Sequence, residues 1–281
     1  MDKEVWAFMP DIKNVKVGEV TIEYGLTGPV DRPVIAFLHG LGGNLSLYLN
    51  QIEYFSKHYR VLLLSLRGHG GSSYPKPATR ESFSIAVMAK DVVSLLDCLD
   101  LPAVHWVGNS MGGLVGYQVL KDTPGRLMSL ATFGITAELH HSLALVKIFT
   151  LAKDILIKLK GYDGFCRMAG SISSKLPDTQ SKVVEMAQAA APLAVKYGHM
   201  HVANVNYLDV LSKAKIPILL IKCEYDLAIN KTLQSTEKVL GNSENAEVIE
   251  MPGVGHYANL DCPENFNIIL DGWYKRILEQ S

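Results

Sequence analysis

Short, nearly unbroken apolar runs constrain this chain most. VIAFLH (34–39), VLLLSL (61–66), VHWVG (104–108) and IPILLIK (216–222) each have the length of a strand. Side chains alternate between the two faces of a strand, so a run that is apolar at nearly every position must be covered on both sides. The runs therefore predict central strands of a mostly parallel sheet with helices on both faces, an α/β sandwich. Parallel neighbours need crossovers, which LYLNQIEYFSKH (47–58), the periodic face Ile85, Met88, Val92, Leu95, Leu96 and Leu99, and LVGYQVLKD (114–122) supply as helices. RLMSLATFG (126–134) and AEVIEM (246–251) add strands, Thr232 to Leu240 a helix, and 263–278 a closing helix with Phe266, Ile269, Leu270, Trp273 and Ile277 on one face. GEVTIEYGLTG (18–28) alternates and ends in turn residues, which predicts a strand pair at the sheet edge.

Between 137 and 208 the pattern changes to helical runs at 139–159, 164–173, 180–191 and 193–209, the last two parted by Pro192. A helical insertion follows. Its first run carries Leu143, Leu145, Val146, Ile148, Phe149, Leu151, Ile155 and Leu156, which suit either packing of the lobe or contact with a partly apolar small-molecule substrate. Lys147, Lys153, Asp154 and Lys158 interrupt this stretch, so no transmembrane association is expected, although one face keeps the means to touch lipid.

Composition removes other classes of partner. A formal charge of -1, from 27 basic and 28 acidic residues, gives no field for a phosphate backbone, so nucleic acid is excluded. Cys98, Cys166, Cys223 and Cys262 lie too far apart for a ligand pair or a dense disulfide framework and read mostly as core thiols. The opening MDKEVWAFMPDIKNVKVGEV mixes charges and a proline where a leader needs an unbroken apolar segment, so a cytoplasmic location is the default expectation. Homo-oligomerisation is left open.

The chemistry concentrates in VHWVGNSMGGLVGYQVL (104–120), where G-N-S-M-G fits G-x-S-x-G between a predicted strand and a predicted helix. Gly108 and Gly112 permit a sharp turn that lifts the hydroxyl of Ser110 above the sheet edge. The bland alternative is a tight turn whose serine caps a helix. A hydroxyl nucleophile needs a base and a group to orient that base. His256 in MPGVGHYANLDCPENF and Asp226 after IPILLIKCEY both follow predicted strands, in the chain order nucleophile, acid, histidine. Glu224 is the nearest competing acid. The amides of Met111 and of Leu41 in HGLGGN (39–44) are the candidate oxyanion donors.

At these residues the chain resembles the α/β-hydrolase superfamily from about 18 to 278, through HGLGGN, RGHGGSS (67–73), GNSMGG (108–113), the strand-terminal Asp226 and the Gly-His of His256. The resemblance implies a core of 1–136 and 209–281, a helical cap at 137–208, and a serine hydrolase cutting a small or medium carboxylic ester through an acyl-enzyme without cofactor or metal. Relatives often carry aspartate where this chain has Ser65. The elbow is also similar to that of carbon–carbon hydrolases of ring meta-cleavage products, with Asn109 matching, Asn44 matching loosely, Arg167 as the single cap arginine, and Tyr257 where tryptophan is common. That activity, a dioxygenase or haloperoxidase-like one, and a non-catalytic small-molecule binding role on the same fold are the alternatives. His140 with His141, and His199 with His201, do not share a helix face and make no local metal set. Gly40, Gly42 and Gly43 do not form a dinucleotide fingerprint.

Overall fold

The computed structural model describes residues 10–279, with every side chain among them except that of Leu143. The stretch before Pro10, on which much of the reading of the N-terminus rests, lies outside the described residues.

In chain order the core begins with β1 (Ile12–Val17), β2 (Val20–Thr27), β3 (Val34–Leu38), α1 (Leu49–Phe55), β4 (Arg60–Leu64), α2 (Ile85–Cys98), β5 (Val104–Asn109), α3 (Met111–Asp122) and β6 (Leu127–Phe133). An insertion follows: β7 (Glu138–His140), α4 (Leu143–Ser171), α5 (Pro177–Gln188), α6 (Pro192–Val202) and β8 (Asn204–Asn206). The core resumes with α7 (Leu208–Ser212), β9 (Ile218–Cys223), α8 (Leu227–Asn230), α9 (Gln234–Gly241), β10 (Ala246–Met251), α10 (Ala258–Asp261) and α11 (Pro263–Glu279). The main sheet has eight strands among the described residues, in the order β1-β2-β4-β3-β5-β6-β9-β10. β2 runs antiparallel to β1 and β4, and every other pairing is parallel.

The apolar runs are covered on both faces, as their sequences require. Along β3, Ala36 and Leu38 join one layer with Met88, Val92 and Leu114 of α2 and α3, while Ile35 and Phe37 join the other with Ile52, Phe266 and Trp273 of α1 and α11. Beyond β3 the chain crosses to β4 on one side, and β5 lies on the other. The loops after β3 and β5 therefore meet where the strand order reverses, the place at which such sheets open a crevice.

Two readings change. The edge pair begins earlier than GEVTIEYGLTG: its first arm is the mostly exposed, polar IKNVKV of β1, and Gly18 turns the chain at φ 55. No apolar pattern announces an arm that buries so little. In the insertion, the expected runs 139–159 and 164–173 merge into one helix that starts only at Leu143 and is kinked at Gly161, φ 72, and the run 193–209 breaks so that Asn204–Asn206 pairs with Glu138–His140. This polar ribbon joins the insertion's entry and exit.

Two buried polar clusters in the core are paired. Arg67 donates to Asp91 through Nε at 2.6 Å and Nη2 at 2.7 Å, and through Nη1 to the carbonyl of Ser82 at 2.8 Å. Burial raises the Asp91 carboxyl above its usual range while the guanidinium opposes the rise. Ser65 donates to Glu23 Oε2 at 2.6 Å, and the same oxygen accepts from the amide of Gly71 at 2.9 Å. A carboxylate is thus present at this corner, supplied by β2 rather than by position 65. Cys98 is exposed, whereas Cys166 and Cys223 are buried.

Asp91→Ala should leave the buried guanidinium of Arg67 with only the exposed carboxylate of Glu19, 3.4 Å from Nη1, and lower stability by about 3–5 kcal/mol in urea unfolding. A loss near zero would show that the pair is dispensable.

Candidate active site

β5 ends in a turn that few side chains tolerate. Ser110 sits at φ 49, ψ -117, a strained conformation for a residue with a Cβ. Its amide donates to the carbonyl of Phe133 at 2.9 Å, and its carbonyl accepts from Gly113 and Leu114 at 2.9 and 3.2 Å. The glycines beside it are there for space. A Cβ on Gly108 would lie 2.5 Å from the carbonyl carbon of Gly112, and one on Gly112 would lie 2.3 Å from the carbonyl oxygen of Leu38. Trp106 Nε1 locks the elbow from below, donating to the carbonyl of Gly112 at 3.0 Å.

The loop after β3 lies against this elbow. Gly43 donates to the carbonyl of Gly40 at 3.0 Å with Gly42 at φ 77, a turn that carries Leu41 at its crown. A Cβ on Gly40 would lie 2.9 Å from Ser110 Cβ, so the two turns touch. The amides of Leu41 and Met111 donate to no group among the described residues. His39 fixes the loop: its Nε2 accepts from the amide of Leu66 at 2.9 Å, so Nδ1 carries the hydrogen and donates to the carbonyl of Gly40 at 2.7 Å. Burial, reinforced by His69 beside it, pushes the His39 pKa down to about 3, and burial takes His69 to about 4. Both rings are neutral near pH 7.

A line of hydrogen bonds joins the loop, the elbow and the histidine. Tyr48 Oη donates to the carbonyl of Leu38 at 2.8 Å and accepts from the amide of Asn109 at 3.1 Å, and Asn109 Nδ2 donates to the carbonyl of His256 at 3.0 Å. His256 Nδ1 lies 2.6 Å from Asp226 Oδ2, with the carboxylate buried and the imidazole partly open. Glu224, the competing acid, instead accepts from the amide of Gly253 at 2.7 Å and braces the histidine loop. Gly134, at φ 63, leaves room for the imidazole: a Cβ there would lie 3.1 Å from His256 Nδ1. Ser110, Asp226, His256, Leu41 and Met111 are thus gathered at one end of β3, β5, β6 and β9. The Ser110 hydroxyl is not hydrogen-bonded to the imidazole here, a contact that commonly tightens only when substrate is bound. The nearby thiol of Cys223 is raised to about 12, by burial first and then by the charge of Asp226, so it is no rival nucleophile.

α6 roofs the site. A Cβ on Gly198 would lie 2.7 Å from Leu41 Cδ1 and 3.6 Å from Met111 Sδ, so this helix rests on the residues that carry both free amides. The next residue, His199, has a buried Nδ1 without a partner, and its pKa falls to about 4 through burial, Lys153 and His141. Burial also takes Lys153 down to about 8. The first stretch of α4 disappoints the expectation of an apolar pocket wall: Val146 is buried, but Leu145, Ile148, Phe149, Leu151 and Ile155 face solvent. Ser174 Oγ ties the loop between α4 and α5 to Asp261 at 2.6 Å, and Asp261 accepts from the amide of Gly255 beside His256 at 2.8 Å.

Other candidates are occupied elsewhere. Asn44 Oδ1 accepts from the amide and hydroxyl of Ser46, and Arg167 is exposed and paired with Asp163. His140 contacts Asn204 and Glu138, and His201 contacts the carbonyl of Arg80. Among the described residues there is no group of three side chains able to hold a metal ion. The residues missed in the sequence are Tyr48 and Gly134. Tyr48 stands in a run that reads only as helix, and Gly134 as an ordinary strand-ending glycine.

The model of the alpha/beta hydrolase fold family matches residues 33–263. 3-Oxoadipate enol-lactonase 2 of Acinetobacter baylyi is 26% identical over 264 residues, which are 92% of this chain and 94% of that protein. The solved structure of Est816, an N-acyl homoserine lactone degrading enzyme, superposes with a TM-score of 0.74 at 26% identity, covering 92% of this chain and 99% of its own. A thermophilic esterase from Thermogutta terrifontis gives a TM-score of 0.81 at 20% identity over 95% of this chain and 99% of its own, a likeness of fold.

Tyr48→Phe should strand the buried amide of Asn109 and cost about 1–3 kcal/mol, read as a lower urea midpoint with unchanged slope. Acid should act through the buried histidines. Folded pKa values near 3 for His39 and near 4 for His69, below the ordinary 6.5, mean that the unfolded chain binds the extra protons. Stability is then full above pH 6.5 and falls as pH drops from 6.5 toward 4, by about 1.4 kcal/mol per pH unit for each ring. A flat stability profile between pH 7 and 5 would contradict this assignment.

Proposed function

Because this chain belongs to the alpha/beta hydrolase fold family, we propose that it is a serine hydrolase that opens small or medium carboxylic esters, lactones among them, through an acyl-enzyme. The observation that carries the reading is the Asp226–His256 pair at 2.6 Å, held by Asn109 beside a strained serine elbow. Asp226 holds Nδ1 of His256, leaving Nε2 to take the proton from Ser110 Oγ as the hydroxyl attacks the acyl carbon. The amides of Leu41 and Met111 then receive the oxyanion, which suits two donors that the protein itself leaves unused. His256 returns the proton to the departing alkoxide; in a lactone the alcohol so formed stays tethered to the acyl group. Water activated by the same nitrogen releases the acid.

The lobe between 137 and 208 acts as the cap that sets the pocket's shape. Its α6 rests close on Leu41 and Met111, which favours compact substrates. The names of the Acinetobacter baylyi enol-lactonase and of the homoserine lactone degrading enzyme, both 26% identical to this chain, support lactones within that class. Asn44 and Arg167, the polar groups that a carbon–carbon hydrolase would direct at its substrate, are engaged elsewhere.

The test is time-resolved intact mass of the protein mixed with a short-chain activated ester or a lactone, with product detection alongside. A transient acyl adduct and product release are expected, both abolished in Ser110→Ala, and Asp226→Asn should lower kcat by three to four orders of magnitude, roughly. Product formed unchanged by Ser110→Ala would remove the serine from the mechanism. Ligand binding without turnover by folded protein would favour a binding role.

A further inference from the structure

A surface helix normally turns its apolar face inward and its polar face to water. The first part of α4, before the kink at Gly161, does the opposite. Val146 and Thr150 are buried, with Lys153 and Ile157 partly so beneath them. On the outer side Ile148, Leu151, Ile155 and Leu159 stand 61%, 60%, 49% and 77% exposed, at the three- and four-residue spacing that lines up one face. Leu145 and Phe149 widen this stripe along one flank. Exposed Lys147 and Lys158 border the other, and exposed Lys160 ends it. The acid on this stretch, Asp154, is spent on Lys196 at 2.7 Å. The helix thus presents a contiguous apolar stripe edged by three lysines, with its one acid, Asp154, half-exposed but neutralised by Lys196.

We propose that this face docks the protein onto an anionic lipid surface, the apolar side chains entering the interface and Lys147, Lys158 and Lys160 meeting the headgroup phosphates. It lies on the membrane rather than crossing it: no helix among the described residues is long and apolar enough to span a bilayer. Charge argues against a second copy as the occupant. Two such helices packed antiparallel about the middle of the stripe would bring Lys147 of one copy beside Lys158 of the other, a repulsion that anionic lipid turns into attraction. Docking by α4 would set the roof of the site at the bilayer surface, where greasy substrates are concentrated. The inference concerns where the protein works and does not depend on which bond it cuts.

The test is co-sedimentation of the whole chain with vesicles of phosphatidylcholine alone and of phosphatidylcholine mixed equally with phosphatidylglycerol. Binding to the mixed vesicles should exceed binding to the neutral ones by about tenfold or more and weaken as salt is raised. Ile148→Asp combined with Ile155→Asp should cut binding to both about tenfold or more, with an unchanged melting midpoint because both side chains face solvent. Lys147→Gln combined with Lys158→Gln should cut the preference for anionic vesicles severalfold, only Lys160 remaining, which keeps the proposal testable even if the first variant folds poorly. Absence of binding by the unmodified chain, or binding that neither pair of substitutions alters, would overturn the proposal. So would a dimer of the unmodified chain that Ile148→Asp with Ile155→Asp dissolves, since a second copy would then be the occupant.

Discussion

The site depends on one close approach, that of the Gly112 backbone to the carbonyl of Leu38, where even a methyl group would lie 2.3 Å away. This contact sets the end of β5 against the end of β3 and lets the turn at Ser110 hold a φ of 49. Strain of this kind persists only where the surroundings over-determine it. Here they do: Trp106 binds the carbonyl of Gly112, Phe133 takes the amide of Ser110, and Tyr48 joins the end of β3 to Asn109. The sheet supplies the rigidity, and the reversal of strand order between β3 and β5 supplies the opening above it.

Around that contact the protein assigns its polar side chains two kinds of work. His39, His69 and the Arg67–Asp91 pair are buried scaffolding that ties the loops after β3 and β4 to each other and to α2, and the histidines are held neutral. Asp226 and His256 keep a side open toward the crevice, with the imidazole partly exposed and one nitrogen uncommitted. Glu224 separates the two kinds of work at close range, because two residues before Asp226 it braces Gly253 and leaves the imidazole to its neighbour.

The cap combines two faces with different demands. α6 must approach the loop after β3 closely, so it places Gly198 against Leu41. α4 must pack on α6 while remaining the outer wall, and its apolar surplus ends up in water. That arrangement is costly for a helix facing only solvent, and packing among the described residues does not account for it.

The central strands were legible in the sequence because double burial forces unbroken apolar runs, and the elbow was legible because steric crowding forces glycine at 108 and 112. Chain order and strand-terminal position marked Ser110, Asp226 and His256. The polar first arm of the edge hairpin and the short β7–β8 ribbon left no such mark, since neither buries enough surface to impose a pattern. Tertiary structure alone decided which way α4 turns, because an apolar stripe specifies a period and not the partner it faces. It also decided that Asp226 rather than Glu224 meets His256, and that Tyr48 and Gly134 serve the site. Those roles rest on contacts between residues far apart in the chain, and only the folded sheet brings them within reach of a hydrogen bond.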